Sequence, residues 1–266
     1  MTLARILTIA GSDSGGGAGI EADLKTIERL GGYGMAAVTA VTAQNTQGVF
    51  GVWPLPPEAV QRQIEVVVDD IGVDAAKTGM LGSAAIVRCV ASTLRRCGPI
   101  QFVLDPVMVA KGGDRLLEAE AESALREELL PLAALVTPNL PEAETLTGLP
   151  VHTRREREEA ARSLVEMGAQ AALIKGGHGE GDFVEDLLFD GRELSVFRAE
   201  RQQTTHTHGT GCTLSAAIAT ALGQGQTLFS AVTLATRYVR AAIRLAPGLG
   251  KGQGPLSHAA GQAPWI

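Results

Sequence analysis

The sequence predicts an α/β fold in which helices cover both faces of a mainly parallel sheet. Short buried-strand patterns alternate with helical patterns through most of the 266 residues. Hydrophobic residues form 45% of the chain but aromatic residues only 4%, a composition that suits Ala-, Val- and Leu-rich helices packed closely on a sheet. A chain of this length can bury one large core, and no internal repeat or linker divides it. We therefore expect a single domain over residues 1–266.

Each strand is predicted from a short apolar run that ends in glycine or polar residues. These runs are residues 5–10, 35–43, 75–77, 102–104, 135–137 and 171–174. Apolar residues at helical spacing predict helices around residues 20–30, 58–70, 83–96, 120–130, 156–167 and 228–245, with a further helix beginning near residue 139 and another that continues from a glycine turn through residues 216–222. Residues 183–190 and 193–197 are joined at an Asp-Gly pair and predict a small β-hairpin. Residues 111–114 read as a mobile loop.

Charge and cysteine usage narrow the classes of function. The formal net charge is -6 and the pI is about 5.4, which disfavours nucleic acid as a partner. Three unpatterned cysteines supply neither a disulfide framework nor a Cys-x-x-Cys metal site, so we expect a reducing, cytoplasmic setting. No apolar run is long enough for a signal peptide or a membrane span, and we expect no membrane partner.

A glycine-punctuated turn leads into an alanine-rich helix at residues 208–222. The first amides of a helix lack intrahelical acceptors and carry partial positive charge. Gly209 and Gly211 would let an anion approach these amides, and Cys212 would lie in the first turn, where a thiolate is stabilised. The pattern predicts an oxyanion or phosphoryl-transfer site centred on Cys212. The alternative is a plain strand-to-helix turn, because small residues are common at helix starts.

The loop at residues 11–19 has five glycines in nine residues and follows the first strand. A strand, a glycine-rich loop and a helix in succession are typical of ligand-binding edges in α/β proteins. The loop is not a Walker sequence, because no Gly-Lys-Ser/Thr ends it, and its glycine spacing does not fit a dinucleotide fingerprint. We expect close backbone approach to a small ligand; a generic flexible loop is the alternative.

Polar side chains follow several other strands. Gln44 suits recognition of a heterocycle's donors and acceptors, although it could instead cap its own loop. Met80 could lie against a flat ring, but a lone methionine is more often part of a core. Asp105, fixed by the following proline, is well placed to hold a metal or another cation.

Three later residues have both structural and functional interpretations. Asn139 is predicted to cap a helix, and Glu142 is electrostatically favoured in its first turn; alternatively both reach Mg²⁺-bound phosphates. Lys175, which precedes paired glycines, resembles a nucleotide-phosphate contact, with a solvated lysine as the competing interpretation.

His206 and His208 alternate as strand residues would, but a metal pair is disfavoured because no third ligand is spaced nearby.

Several of these motifs occur together and in order. They lie at residues 10–20, 77–81, 105–108, 137–142, 175–178 and 206–213. In this combination the chain resembles the hydroxymethylpyrimidine/phosphomethylpyrimidine kinases of thiamine biosynthesis, a family of the ribokinase superfamily, from about residue 5 to residue 255.

The resemblance implies a three-layer α/β/α fold and ATP-dependent phosphorylation of a small pyrimidine. The hydroxymethyl group of 4-amino-5-hydroxymethyl-2-methylpyrimidine would be phosphorylated first, and the monophosphate would then become the diphosphate. The residues that the resemblance assigns are Gly209, Thr210, Gly211 and Cys212 for the anion hole; Gln44, Gly11, Ala18, Met80 and Val107 for the pyrimidine pocket; Asn139, Glu142 and Asp105 for the Mg²⁺-phosphate region; and Lys175 for the ATP side. Relatives also suggest a homodimer.

Cys212 stands where most ribokinase relatives carry a catalytic aspartate. A thiolate with a lowered pKa could act as the base for the hydroxymethyl group, or the sulfur could merely line the anion hole. The acceptor in the second step is already ionised and should depend less on a base. Two departures from the family pattern, in the 204–206 stretch and at Arg237, bear on nucleotide contacts.

Two other functions compete with this interpretation. One is a pyridoxal/pyridoxine kinase, because close relatives accept that ring and share the cysteine motif. The other is a non-catalytic pyrimidine-binding or regulatory protein on the same scaffold. The intact Gly209–Cys212 turn argues against a pure binder, which has no need of a phosphate hole.

Overall fold

In a computed structural model, which describes residues 3–108, 119–179 and 181–260, eight strands form a central sheet in the order β10-β9-β8-β7-β6-β5-β1-β2. The strands are β1 (Ala4–Ala10), β2 (Gly32–Val38), β5 (Ala75–Thr78), β6 (Gln101–Leu104), β7 (Leu135–Val136), β8 (Ala172–Ile174), β9 (Phe183–Phe189) and β10 (Leu194–Glu200). Six neighbouring strands from β2 to β8 are parallel, and β9 and β10 add an antiparallel hairpin at the edge. A separate two-stranded sheet pairs β3 (Ala40–Asn45) with β4 (Gly48–Pro54).

Helices lie on both faces of this sheet. They are α1 (Gly19–Arg29), α2 (Pro57–Asp70), α3 (Ala84–Arg96), α4 (Ala119–Ala124), α5 (Leu140–Thr147), α6 (Arg154–Glu166), α7 (Thr210–Gly223) and α8 (Leu228–Arg244). After α4 the chain continues through a π-helical turn, Leu125–Leu129, and a 3-10 turn, Leu130–Leu132. A second 3-10 turn, Gly176–His178, follows β8. No helix within the described ranges is long and apolar enough to cross a membrane.

Two hydrophobic clusters, one on each face, confirm the predicted three-layer architecture. Along β1, Ile6 packs in the cluster with α1, α7 and α8, whereas Leu7 and Ile9 pack with α2, α3, α5 and α6. Helix α7 is buried nearly all round because it lies between the sheet and two helices. Its first turn therefore has a fixed position at the carboxyl edge of the parallel strands.

The prediction of one strand over residues 35–43 is wrong. The chain turns at Thr39, leaving β2 in the central sheet and sending β3 into the separate hairpin. Thr39 is fully buried, its amide donates to the carbonyl of Ala10 at 3.0 Å, and its hydroxyl donates to the carbonyl of Met80 at 2.7 Å. These bonds stabilise a corner that apolar periodicity does not reveal.

The prediction that His206 and His208 alternate as residues of a strand is also wrong. Residues 201–207 have no strand structure, and His208 makes only an isolated bridge with Pro255. The predicted hairpin is confirmed as β9 and β10, although it extends the central sheet. The loop predicted at residues 111–114 lies outside the described residues.

Candidate active site

The first turn of α7 begins at a glycine that no other residue could replace without strain. Gly209 has a φ of 81°, and a Cβ there would collide with the carbonyl of Gly17 in the glycine-rich loop. Thr210 fixes the turn by donating its hydroxyl to the carbonyl of Thr207 at 2.7 Å. The amides of this first turn have no acceptor four residues earlier within the helix. The Thr210 amide donates to the carbonyl of Thr207 at 3.3 Å, so the amides of Gly211 and Cys212 remain at the sheet edge as donors for an anion.

Lys175 lies against this turn. Its ammonium is 3.3 Å from the position that a Cβ on Gly211 would occupy, and it donates to Asp105 Oδ1 at 2.8 Å. Burial would lower the pKa of Lys175, but the carboxylates of Asp105 and Glu142 raise it above its usual value. The lysine is only 14% exposed, so the solvated alternative is wrong. Lys175 is a fixed cation beside the helix start.

Asp105 is buried and accepts from three side chains. Besides Lys175, its carboxylate accepts from Thr137 Oγ1 at 3.2 Å and from Ser215 Oγ at 3.2 Å. Burial opposes ionisation, but the ammonium groups of Lys175 and Lys77 and these hydrogen bonds prevail and lower the pKa of Asp105. Its position after β6 is the one that the sequence predicts.

Asn139 and Glu142 form a capping box at the start of α5. Asn139 Oδ1 accepts from the Glu142 amide at 2.9 Å, and Glu142 Oε2 accepts from the Asn139 amide at 2.8 Å, which confirms the capping prediction. Glu142 Oε2 is also 3.9 Å from Lys175 Nζ. Burial, with Asp105 nearby, outweighs the attraction of Lys175 and raises the pKa of Glu142 to about 7. The capping glutamate thus belongs to the site's charge cluster.

The environment of Cys212 contradicts the expected low-pKa thiolate. Burial, together with the carboxylates of Asp23 and Asp105, raises the pKa of Cys212 to about 11, although Lys77 and the amide of Gly19 act in the opposite direction. The helix start therefore does not produce a thiolate in the unliganded protein.

A buried ion pair explains part of this environment. Lys77 Nζ lies 3.0 and 2.9 Å from the two carboxylate oxygens of Asp23, and both side chains are completely inaccessible. Thr8 Oγ1 donates to the same carboxylate at 2.6 Å. Burial would lower the pKa of Lys77, but the carboxylates of Asp23 and Asp105 raise it above its usual value.

The sequence contained a signal for this pair that the prediction did not use. Asp23 lies on the same helical stripe as Ile20, Leu24 and Ile27, and Lys77 continues the buried strand β5. A charged residue on an apolar stripe needs a partner when it is buried.

The glycine-rich loop is organised around Asp13, which is also buried. Its carboxylate accepts from the amides of Gly15 at 2.8 Å, Gly17 at 3.0 Å and Ala18 at 2.8 Å, and from His208 Nε2 at 2.8 Å. Burial raises its pKa, but the hydrogen bonds from His208, Ala18 and Gly15 outweigh burial and lower it. The loop is therefore a defined structure and not a generic flexible segment.

The residues predicted to contact the pyrimidine lie at this edge. A Cβ on Gly11 would collide with the terminal methyl of Met80, so the methionine packs directly on the glycine backbone. Ala18 directly precedes α1 and contacts the Gly209 turn. Val107 is half-buried in the turn after β6, where its amide donates to the carbonyl of Asp105 at 2.9 Å.

Gln44 lies in the β3–β4 hairpin and not at the end of a central strand. The register shifts at Ala43/Gln44, an irregularity of the kind that re-aims a side chain. Its amide nitrogen is 3.4 Å from His208 Nε2 and its amide oxygen 3.5 Å from Thr42 Oγ1. Thr42 already donates to the carbonyl of Ser12 at 2.8 Å, so its hydroxyl hydrogen is committed. Capping by the Gln44 side chain is therefore not its main role here.

The arrangement can bind a polyanion beside a flat ring. The start of α7 and the Lys175 ammonium lie side by side, because the ammonium is 3.3 Å from the position of a Cβ on Gly211, and the carboxylates of Asp105 and Glu142 lie next to the lysine. Within the described ranges, no group of three His, Cys, Asp or Glu side chains could hold a metal by itself.

Comparison with known proteins agrees with this geometry. Residues 13–257 match the family described as phosphomethylpyrimidine kinase. The chain is 48% identical to the hydroxymethylpyrimidine/phosphomethylpyrimidine kinase of Bacillus subtilis over 97% of this chain and 96% of that one. It is 53% identical to the thiamine biosynthesis bifunctional protein ThiED of Geobacter sulfurreducens over 95% of this chain, but spans only 52% of that longer protein.

Among solved structures, the chain is similar to the pyridoxal kinase of Bacillus subtilis in its ADP complex. The TM-score is 0.92 and the identity 39%, over 99% of this chain and 100% of that one.

Proposed function

We propose, from the premise that this chain belongs to the phosphomethylpyrimidine kinase family, that it transfers the γ-phosphoryl group of ATP to 4-amino-5-hydroxymethyl-2-methylpyrimidine and then to its monophosphate. Members with this activity act in thiamine diphosphate biosynthesis. In the first step the hydroxymethyl oxygen forms a bond to the γ-phosphorus, the bond between the γ-phosphorus and ADP breaks, and the hydroxyl proton passes to the sulfur of Cys212 or to water. In the second step a phosphate oxygen is the nucleophile.

The observation that carries the proposal is that Gly211, Lys175 and Asp105 lie next to one another. Phosphoryl transfer is accelerated mainly by positioning and by donors aimed at the equatorial oxygens. The amides of Gly211 and Cys212 would supply such donors, and Lys175, held at 2.8 Å by Asp105, would supply a fixed positive charge on the ATP side. A protein that only binds a pyrimidine has no need of this arrangement.

The acidic side chains fit Mg²⁺. Asp105 and Glu142 flank Lys175, so two carboxylates share one ammonium group, while burial raises the pKa of Glu142 to about 7. Carboxylate oxygens suit Mg²⁺, which usually takes one or two of them and fills its shell with phosphate oxygens and water. Asp105 and Glu142 would hold the ion, and Asn139 would approach the phosphates. The bound ion would neutralise charge on the transferring group.

Gln44 favours an aminopyrimidine over pyridoxine. An aminopyrimidine presents a ring-nitrogen acceptor beside an amino donor, and a carboxamide offers the matching donor and acceptor pair. The two contacts of the Gln44 amide are long, at 3.4 and 3.5 Å, so the amide can turn to a ligand. Gly11, Ala18, Met80 and Val107 would line the apolar faces of the ring. Pyridoxine remains the second candidate because of the similarity to the Bacillus subtilis pyridoxal kinase.

One coupled assay separates the candidates. ADP release is measured with hydroxymethylpyrimidine, its monophosphate and pyridoxine, each with ATP and Mg²⁺. We expect turnover with both pyrimidines. Turnover with pyridoxine alone would identify a pyridoxine kinase. Release of no ADP with any acceptor would leave only the non-catalytic pyrimidine-binding protein.

A matched pair of lysine variants tests the site. Lys175→Met should lower kcat by at least about 100-fold, because it removes a charge aimed at the transferring group. Lys25→Met removes a lysine that donates to the carbonyl of Gly16 at 2.6 Å on the outside of the glycine-rich loop and should keep most activity. Equal loss in the two variants would contradict the assignment of Lys175.

A homodimer is also part of the proposal. The β3–β4 hairpin exposes large apolar side chains on both of its faces, Val41 and Trp53 on one face and Val52 on the other, with Phe50 at the shift in register. Phe50 is 70% and Trp53 60% exposed, and exposed apolar side chains of this size mark an interaction surface. Sedimentation should give a dimer for the wild type and a monomer for a Phe50→Ser/Trp53→Ser variant; a wild-type monomer would contradict the assignment.

All three cysteines are unpaired, which supports a cytoplasmic location.

A further inference from the structure

Three consecutive side chains of the glycine-rich loop bond to two different parts of the site. Ser12 and Ser14 bond to the hairpin that carries Gln44, and Asp13 bonds to His208, which directly precedes the Gly209 turn. The two partner segments are far apart in sequence and make their own contacts elsewhere. The stretch 12–14 is thus a direct bridge between the pyrimidine side and the phosphate side.

The hairpin side of the bridge consists of hydroxyl groups. Ser14 Oγ donates to the carbonyl of Gln44 at 2.7 Å and accepts from its amide at 2.9 Å. Ser12 Oγ accepts from the amide of Thr42 at 3.1 Å, and the carbonyl of Ser12 accepts from Thr42 Oγ1 at 2.8 Å. Any shift of the Gln44 backbone is therefore passed to the residues on both sides of Asp13.

On the phosphate side, the bond between Asp13 and His208 has one direction. An ionised carboxylate can only accept, so the proton lies on His208 Nε2 and points at Asp13 Oδ2, 2.8 Å away. That nitrogen consequently cannot accept from the Gln44 amide, which leaves the Gln44 donors for a ligand. The imidazole lies between the pyrimidine-recognising amide and the phosphate turn, and contacts both sides.

Close packing makes this connection stiff. A Cβ on Gly17 would lie 2.6 Å from His208 Cδ2, and Gly209 packs on the carbonyl of Gly17. The His208 amide also donates to the carbonyl of Gly254 at 3.1 Å. The ring and the first residue of the turn therefore move together with the glycine-rich loop.

We infer that Asp13 and His208 are positioning residues that couple binding of the pyrimidine to the geometry of the Gly209–Cys212 turn, an inference that rests on the proposed function. Occupation of the pocket fixes Gln44 and the glycine-rich loop; through Asp13 and His208 the loop fixes the amides that meet the γ-phosphoryl group. By reciprocity, a nucleotide bound at the turn tightens pyrimidine binding.

The coupling is measured by calorimetric titration of hydroxymethylpyrimidine with and without a non-hydrolysable ATP analogue and Mg²⁺. In the wild type the nucleotide should lower the dissociation constant by roughly 5- to 150-fold, the usual range for coupled sites. In Asp13→Asn and in His208→Leu this factor should fall at least about fivefold, and the double variant should lose no more than either single variant. His208→Gln, which keeps an N–H donor, should restore part of the coupling.

Lys25→Met is the matched control, because it removes a bond from the same loop that does not lead to the turn. Coupling that stays at the wild-type value in Asp13→Asn, or losses that multiply in the double variant, would overturn the inference.

Hydrogen exchange of the unliganded protein provides a readout that needs no substrate. Asp13→Asn should speed exchange of the amides at residues 209–213, and Lys25→Met should not. A wild-type protein that binds no pyrimidine would refute the proposed function, and hydrogen exchange alone would then test whether residues 12–14 hold the turn. Unchanged exchange at residues 209–213 in Asp13→Asn would overturn the inference.

Discussion

Replacing Cys212 by alanine should slow the first phosphorylation far more than the second. The pKa of Cys212 is raised to about 11, so the thiol is almost entirely protonated at pH 7.5. The thiolate that does form is a strong base for the hydroxymethyl proton. Loss of such a base costs roughly 10²- to 10⁴-fold in rate. The second acceptor, a phosphate with a second pKa of about 6, is already ionised and needs no base.

Initial rates with each acceptor, measured from pH 6.5 to 10, test this reasoning. For the wild type we expect the first-step rate to rise up to about tenfold per pH unit, and this dependence to vanish in Cys212→Ala. The second step should fall less than about tenfold in the variant. Cys89→Ala, a half-buried cysteine on α3, is the control for removal of a thiol. Equal losses in both steps, or a flat wild-type profile, would refute a step-specific base and leave Cys212 as a lining residue.

Two further predictions concern the buried charges. Lys77→Met should lower the free energy of unfolding, measured in urea, by about 3–5 kcal/mol, because it leaves the buried Asp23 carboxylate without its partner. Lys77→Met/Asp23→Leu should recover much of this loss. A double variant no more stable than the single one would contradict the prediction. The raised pKa of Glu142 means that the folded protein holds a proton that the unfolded chain releases, so its contribution to stability is full below about pH 4.5 and falls as pH rises through about 7. In Glu142→Gln the free energy of unfolding should lose this pH dependence, whereas Glu156→Gln, in the exposed capping box of α6, should keep it. Identical plots of unfolding free energy against pH for the two variants would refute the assignment.

The carboxyl edge of the sheet could be predicted from the sequence because strand ends carry a local signal. Asp105 and Lys175 each follow a short apolar run, and parallel strands bring such ends to one edge. Gly209 could be identified in the same way, from glycine before an alanine-rich helix. What these residues do to one another, including the hold of Asp105 on Lys175, depends on distances that a linear pattern does not contain.

The failed predictions share a physical cause, which is tertiary contact. The corner at Thr39 depends on bonds to Ala10 and Met80, and no local propensity favours it. The pKa of Cys212 was expected to fall because a helix start favours a thiolate. In the folded protein, burial and the neighbouring carboxylates of Asp23 and Asp105 outweigh that local effect.

The charge balance of the site connects the metal proposal with these pKa values. Asp23, Asp105 and Glu142 bring three carboxylates to the two ammonium groups of Lys77 and Lys175, so these five residues, when all are ionised, carry one net negative charge beside the turn where an anionic phosphate would bind. Burial raises the pKa of Glu142 and of Cys212, so both groups hold their protons more tightly and add less negative charge. A divalent cation that arrives with the nucleotide would reverse the balance, because it favours ionised carboxylates. Mg²⁺ would thus make the ionised state of the site stable only when the phosphates are present.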